Sequence, residues 1–149
     1  MTTSSEAEIR ALLERRHTAH QAKDLDLLMS FYTPGIVCYD AVAPLRFTGT
    51  EEVRRNFARW FDGYEGPISL QTHDLIVRVD GDLAFAFMLH LDSGQRKDTG
   101  LQAAVWVRET VCLLRTEGGW KIIHEHVSIP FDLTTFRPWL PAEKDDRPV

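Results

Sequence analysis

Charged side chains interrupt several apolar patterns in this sequence, and such interruptions are where chemistry is expected. Asp40 ends a short run in which Ile36, Cys38 and Asp40 alternate with Val37 and Tyr39. In a β-strand this alternation places the first three on one face. The Asp40 carboxylate could cap the following loop by accepting backbone N–H groups. If it faces a cavity, desolvation makes it a better base for moving a proton near neutral pH.

Glu109 is the single carboxylate in an aliphatic file. Strand alternation puts it on one face with four apolar residues, namely Val105, Val107, Val111 and Leu113. An unpaired buried carboxylate is too costly, so Glu109 should be protonated, paired with a cation or exposed at a sheet edge. Arg16 is a candidate partner, and a structural ion pair and a functional acid both stay open. We expect Val111, next in the file, to contact a ligand.

The first predicted helix continues an apolar stripe into polar residues. Ile9, Leu12 and Leu13 lie at helical spacing, and the stripe next reaches Arg16 and His20. Both polar residues could lie at the rim of the core, with the arginine extending its charged end to solvent. Alternatively both point into a cavity, where a cation and a titratable imidazole would meet a polar ligand.

Two histidines stand two residues apart near the end of the chain. Strand alternation places them on one face with Trp120, Ile122 and Ser128, and places Glu125 and Val127 on the other face. His124 and His126 could share a metal ion, but no third ligand occurs at a recognisable spacing, and no metal is predicted. A hydrogen-bonded layer or a subunit interface is the more typical use of such a face.

Composition and missing motifs exclude several functions. No glycine-rich phosphate loop or nucleophile elbow occurs, so the sequence predicts no nucleotide, flavin or other cofactor. A formal charge of −5 over 149 residues disfavours a nucleic-acid surface, and Arg54, Arg55 and Arg59 are spaced like the solvent side of a helix. Cys38 and Cys112 are expected to be free thiols. Without an apolar leader or spanning segment, we expect no membrane association and a cytoplasmic location.

The elements that position these residues are helices first and strands afterwards. Ser4 or Ser5 caps a helix that runs to about Ala22, and Asp24 caps a second one that ends at the Thr33-Pro34-Gly35 turn. A third helix opens at residues 49–52, with threonine as its cap. Its buried stripe comprises Val53, Phe57, Trp60 and Phe61.

Two hairpins follow the third helix. Strands at 68–79 and 83–91 flank Asp80-Gly81-Asp82, and strands at 103–115 and 120–129 flank residues 116–119. Residues 92–102 are predicted to form a polar loop, and the tail over 131–149 to be partly disordered. This order predicts one α+β domain over 1–149, with its core at about 6–130. Its three helices pack on a curved antiparallel sheet around a pocket.

The sequence resembles the nuclear transport factor 2-like superfamily. The resemblance rests on the segment 23–40, which contains Thr33-Pro34-Gly35 and Cys38-Tyr39-Asp40, and on the ending 119–128. The superfamily includes ketosteroid isomerase, scytalone dehydratase, SnoaL-like polyketide cyclases and the association domain of calcium/calmodulin-dependent kinase II. The resemblance implies a cone of three helices and a curved sheet, commonly dimeric through the sheet. It implies little about activity, because this fold hosts many functions.

Likeness to ketosteroid isomerase implies particular roles. Asp40 falls at the catalytic base, and Glu109 falls near a second acid, which stays protonated in that enzyme and donates to the developing oxyanion. Arg16 stands where that enzyme has an oxyanion-hole tyrosine, which argues against steroid isomerisation. Tyr32, placed near the end of the second helix, is similar to a pocket aromatic. Phe57 and Trp60 would form an apolar wall, with His20 as a further ligand contact.

These expectations define two alternative functions. The first is a cofactor-independent isomerase, dehydratase or cyclase that acts on a small apolar carbonyl or hydroxyl compound, with Asp40 as proton shuttle and Glu109, Arg16 or Tyr32 stabilising the oxygen. The second is a non-catalytic ligand-binding or oligomerisation domain, in which Arg16 and Glu109 are a satisfied pair and Asp40 is a cap. In both, we expect a homodimer through the His124, His126 and Ser128 face.

Overall fold

A computed structural model describes residues 4–140 of the chain. It contains three helices: α1 (Ser5–Ala22), α2 (Leu25–Met29) and α3 (Gly49–Asp62). The strands of the main sheet are β1 (Tyr32–Tyr39), β2 (Phe47–Thr48), β3 (Tyr64–Asp80), β4 (Leu83–Arg96), β5 (Gln102–Thr116) and β6 (Gly119–Ser128). A small second sheet pairs β7 (Phe131–Asp132) with β8 (Arg137–Pro138).

The helix ends follow local capping rules. Ser4 caps α1, with its hydroxyl accepting a hydrogen bond from the Ala7 amide at 3.2 Å, and Asp24 caps α2. The cap of α3 is Thr48, and the expectation of a cap within residues 49–52, at Thr50, is wrong. The Glu52 carboxylate accepts from the Thr48 amide at 2.6 Å, which satisfies a backbone donor at the start of the helix.

The main sheet has the strand order β2-β1-β6-β5-β4-β3, and the helices pack on one of its faces. Only the β1–β6 pair is parallel among these six strands, because β3 to β6 follow one another by tight turns. The predicted loop over 92–102 is wrong for most of its length. β4 runs on to Arg96 and β5 begins at Gln102, since pairing between neighbouring strands satisfies this polar stretch.

A register shift in β6 reverses part of the predicted face assignment. Leu113 of β5 pairs with Ile122, but the preceding Cys112 pairs with His124, so Ile123 has no partner in the ladder. A bulge of this kind turns the following side chains to the other face. Trp120 and Ile122 therefore face the helices, and so does Glu125.

The outer face of the sheet accordingly carries both histidines of β6. The grouping of His124 and His126 with Trp120 and Ile122 is wrong, because the bulge lies between the two pairs. The Tyr39 ring contacts both imidazoles, with ring centroids 4.9 Å from His124 and 5.5 Å from His126.

The hydrophobic core lies between the helices and the sheet. Its members include Ile9, Leu28, Ile36, Val53 and Leu113. Cys38 and Cys112 are free thiols, the first buried and the second half-buried. In the tail, residues 131–140 contain the β7–β8 pair, and 141–149 lie outside the described residues. No helix within residues 4–140 is long and apolar enough to cross a membrane.

Candidate functional site

A buried ion pair between Arg16 and Glu109 lies at the centre of the domain. The helical stripe of α1 carries Arg16 inward, and the aliphatic file of β5 brings Glu109 to meet it. The guanidinium donates to both carboxylate oxygens, from Nη1 at 2.9 Å and from Nη2 at 2.7 Å. Arg16 is 1% exposed and Glu109 4%. The pairing proposed from the two sequence patterns is therefore present, with the bidentate geometry that makes such pairs strong.

A second buried carboxyl group joins this pair. Glu125 accepts a hydrogen bond from Arg16 Nη1 at 3.1 Å and another from the Tyr32 hydroxyl at 3.0 Å. Tyr32 is the first residue of β1, and not a residue of the second helix as expected. The sequence pattern did not identify Glu125 as a site residue, because simple alternation from Trp120 places it outside. Only the bulge at Ile123 brings it in.

The network holds its two glutamates in different protonation states. Burial favours the neutral form of Glu109, but the Arg16 charge and hydrogen bonds from Glu125 and His90 prevail and hold its pKa well below the usual value. Burial and the neighbouring Glu109 charge raise the pKa of Glu125 well above its usual value. Glu109 is thus the ionised acid and Glu125 the protonated one. The resemblance implied a protonated acid at Glu109, and the structure moves that role one strand away.

Arg16 and Tyr32 complete the charge pattern of this network. Burial opposes the charge of Arg16, but the facing acids outweigh it and raise its pKa well above the usual value. Burial and the nearby Glu125 raise the pKa of Tyr32, so its phenol stays a neutral donor. Arg16 Nε is buried and has no hydrogen-bond partner within residues 4–140. It is a cationic donor available for another acceptor.

A chain of three polar side chains supports Glu109 from the side of β3 and β4. His90 Nε2 lies 2.5 Å from Glu109 Oε2, and because the carboxylate only accepts, the imidazole donates. The Thr72 hydroxyl lies 3.3 Å from His90 Nδ1 and 3.2 Å from His17 Nδ1. Burial and the Arg16 charge lower the pKa of His17 to about 4, so this imidazole is neutral at pH 7.

Asp92 is a further acid of this region that the sequence pattern placed in a loop. It lies on β4 two residues beyond His90, on the same face of the sheet. The residue keeps some exposure, but its Oδ1 atom is shielded from solvent and has no partner in the described part of the chain. Burial raises the pKa of Asp92 to about 7. The alternation Ala84, Ala86, Met88 predicts inward positions at 90 and 92, and this signal was available in the sequence.

Asp40 follows β1 directly and is half-buried. One carboxylate oxygen accepts from the Ala41 amide at 2.6 Å, which is the loop cap considered above. The other accepts from the Asn56 side chain at 2.6 Å, and Arg59 in turn donates to Asn56 Oδ1 at 2.6 Å. The cap and the side-chain contact fix the direction of this carboxylate. Asn56 is buried in α3, and the sequence patterns did not single it out.

The remaining predicted site residues form an aromatic wall around His20. The His20 ring lies edge-on to Phe57 and Trp60, with ring centroids 5.6 Å away in each case. Its Nδ1 atom is buried without a partner among the described residues, and burial with the Arg16 charge lowers its pKa. Val111 is fully buried and pairs across β5 and β6 with Glu125, so the two share the inner face.

The site as a whole combines fixed acids, neutral imidazoles and one buried cation. Within residues 4–140, no group of three His, Cys, Asp or Glu side chains is arranged to hold a metal ion. Pairs of titratable groups whose pKa values are driven apart are the usual basis of acid–base chemistry in a protein interior. The arrangement can accept a proton at one carboxylate while cationic and neutral donors hold an oxygen.

Fold and site together define a helix-capped curved sheet with a polar interior. A family model for the SnoaL-like domain matches residues 9–132. The chain therefore belongs to the SnoaL-like family. No curated protein matches the chain.

Solved structures agree with this assignment. A nuclear transport factor 2-like protein of unknown function from Pseudomonas putida KT2440 is 32% identical, with a TM-score of 0.83 over 97% of this chain and 99% of that one. A ketosteroid isomerase-like protein from Erwinia carotovora atroseptica SCRI1043 is 19% identical, with a TM-score of 0.73 over 85% of this chain and 97% of that one. A Xanthomonas campestris protein, provisionally assigned as a calcium/calmodulin-dependent kinase II association domain, is 21% identical. Its TM-score is 0.72 over 81% of this chain and 84% of that one. The last two likenesses concern the fold alone.

Proposed function

We propose that this protein binds a small organic molecule in its interior and moves a proton on it without a cofactor. The reaction is an isomerisation, a dehydration or a cyclisation of a largely apolar carbonyl or hydroxyl compound. The observation that carries the proposal is the buried Arg16 network, in which one guanidinium group holds the carboxyl groups of both Glu109 and Glu125. The pKa of Glu109 is lowered and that of Glu125 is raised, so the network offers both a negative charge and a neutral donor.

In the proposed mechanism Asp40 accepts a proton from a carbon next to the carbonyl group. Negative charge then develops on the carbonyl oxygen, and a buried cationic donor stabilises it most effectively. Arg16 Nε suits this role because Glu109 and Glu125 already hold the rest of its guanidinium. The protonated Asp40 returns the proton to another carbon in an isomerisation, or to a departing hydroxyl in a dehydration. Tyr32 and His20 complete the polar part of the wall.

Replacing Asp40 with asparagine should abolish this proton transfer. The test incubates the protein in D2O with a panel of small cyclic ketones and hydroxyketones and follows deuterium incorporation by mass spectrometry. Because the asparagine amide is not a base, exchange should fall by about 100- to 10,000-fold. Asp80→Asn, at the exposed end of β3, should leave the rate unchanged. Equal exchange in Asp40→Asn and the wild type would remove Asp40 from the mechanism.

The second candidate function is a non-catalytic ligand-binding or assembly domain. Two contacts favour it: Asp40 caps the Ala41 amide, and Arg16 with Glu109 forms a satisfied bidentate pair. The exchange assay separates the candidates. A compound that shifts the NMR signals of His20 and Tyr32 but exchanges no deuterium in the wild-type protein would identify a binding domain.

We also propose that a second copy of the chain covers the outer face of the sheet. Rows of paired residues cross this face, and one row joins Phe87, Thr110 and His126. Phe85 and Phe87 are 44% and 41% exposed, and their rings stack 6.3 Å apart. Exposed aromatic side chains next to one another are typical of a protein–protein interface.

An aspartate on this face should weaken self-association. In a two-fold dimer His126→Asp introduces two desolvated, unpaired charges, so the dissociation constant should rise at least about tenfold. Sedimentation equilibrium measures it, with Gln21→Asp on the exposed side of α1 as a control that adds the same charge elsewhere. A wild-type protein that is monomeric at all concentrations would contradict the proposed dimer.

A further inference from the structure

A pocket of about 360 Å³ lies outside the polar interior, between the loop before β2 and the exposed side of α3. Three of its seven lining residues are arginines, and one is an acid. The lining comprises Pro44, Arg46, Phe47, Glu52, Arg55, Asn56 and Arg59. Against a formal charge of −5 for the whole chain, the local excess of positive charge is unusual.

The arginines of this pocket are not neutralised by the protein itself. Arg46 and Arg55 form no hydrogen bond or ion pair with any residue in 4–140. The acid of the lining, Glu52, directs one carboxylate oxygen to the Thr48 amide. Arg54, which looked equivalent in the sequence, points away and pairs with Asp26 at 2.7 Å. All three arginines lie on the solvent side of α3, as their spacing predicted, but only Arg55 and Arg59 line the pocket.

The arrangement is electrostatically unfavourable when nothing occupies it. Arg55 and Arg59 stand four residues apart on one helix face, a spacing at which like charges repel. Arg46 adds a third positive charge from the facing loop. Local features that oppose stability are expected at functional sites. An anion bound between the guanidinium groups would replace their mutual repulsion with attraction to the anion.

Arg59 is also held in position for such a contact. Its guanidinium donates to Asn56 Oδ1 at 2.6 Å and lies over the Phe47 ring, 5.9 Å from the centroid. Asn56 is 6% exposed and uses its amide nitrogen to hold Asp40 at 2.6 Å. The buried asparagine therefore connects the arginine pocket with the carboxylate proposed as the base.

We propose that the arginine pocket binds the carboxylate or phosphate group of a small molecule. Guanidinium groups match both anions through paired N–H donors, and the volume lies within the range of small-ligand sites. The anion belongs either to the molecule that reaches Asp40 or to a separate effector. The site itself does not depend on the chemistry proposed for Asp40, because it rests on the arginines and their surroundings.

A titration with inorganic phosphate tests this site. Amide NMR signals of residues 46–47 and 55–59 should shift in a saturable way at constant ionic strength. In the double variant Arg55→Gln/Arg59→Gln, the dissociation constant should rise at least about tenfold, which corresponds to 1.4 kcal/mol. Arg54→Gln is the matched control, since it removes the same charge from the same helix outside the pocket, and it should change the constant less than twofold.

The outcomes separate the sources of the anion and the ways in which the proposal can fail. If the anion is part of the substrate, compounds that carry both a carboxylate and a ketone should also shift the NMR signals of His20 and Tyr32. A separate effector should shift only the signals of the pocket residues. Either result supports the site. Signal shifts that do not saturate would overturn the proposed site. An equal loss of phosphate affinity in Arg54→Gln and in the double variant would also overturn it. Because Asp40→Asn keeps the arginines, phosphate binding without proton exchange would refute only the catalytic role of Asp40.

Discussion

Replacing Arg16 with methionine is expected to lower the free energy of unfolding by about 3–5 kcal/mol, since it leaves a buried carboxylate without its cation. Glu109 receives two guanidinium hydrogen bonds and Glu125 receives one, so both acids lose a partner at once. The loss should shrink at low pH. Without Arg16 the main cause that lowers the pKa of Glu109 is gone, and its protonation then relieves the unpaired charge.

Denaturant unfolding at pH 5 and pH 8 measures both effects. Arg10→Met is the matched control, because Arg10 lies on the same helix but pairs with Glu6 at the surface, where both side chains are about half exposed. We expect a loss below about 0.5 kcal/mol there. Adding Glu109→Gln and Glu125→Gln to Arg16→Met should recover part of the stability, since no buried charge is then unpaired. Similar losses for Arg16→Met and Arg10→Met would show that the buried network contributes little.

Replacing Asp92 with asparagine is expected to stabilise the protein at alkaline pH. Burial raises the pKa of this acid from 3.8 to about 7, so between these values the folded state holds a proton that the unfolded state has lost. The contribution of Asp92 to the free energy of unfolding therefore falls as the pH rises from 3.8 to about 7. At about 1.4 kcal/mol per pKa unit the full shift is about 4 kcal/mol, and because the residue keeps some exposure we expect a gain of about 2–3 kcal/mol at pH 8.

The comparison of Asp92→Asn with the wild type isolates this effect from other titrations. His17 acts in the opposite direction, because its pKa lies near 4 when folded and near 6.5 when unfolded, and it costs stability as the pH falls. That contribution is the same in both proteins and cancels. The two unfolding curves should agree near pH 4, separate progressively between pH 4 and pH 7, and run parallel above pH 7, while Asp80→Asn follows the wild type throughout. A constant difference at every pH would mean that Asp92 is not protonated in the fold.

Local sequence patterns identified much of the site because burial and periodicity are local. The 3.6-residue stripe of α1 led from Leu12 and Leu13 to Arg16, and the alternation in β5 led to Glu109. Neither residue can be buried alone at acceptable cost, and this requirement for compensation made Arg16 a candidate partner of Glu109. The pair is present in the fold with bidentate geometry.

The residues that the patterns missed depend on contacts between distant strands. Glu125 faces inward only because Ile123 is bulged out of the pairing with β5. His90 falls inside the predicted strand 83–91, but Asp92 lies in the continuation of that strand, which is too polar to resemble one. Backbone pairing with β3 and β5 sustains it. Cross-strand hydrogen bonds are made by any residue type, so their positions leave little trace in the order of side chains.

The sequence by itself determined the α+β order and the family, and it singled out Arg16, Glu109 and Asp40 as candidate site residues, since each interrupts or ends a local apolar pattern. Only the tertiary structure decided which carboxyl group holds the proton and which arginines share a pocket. Glu109 is ionised and Glu125 protonated because of how they surround one guanidinium. Protonation and charge clustering depend on distances of a few ångströms between elements far apart in the chain, and no local pattern specifies those distances.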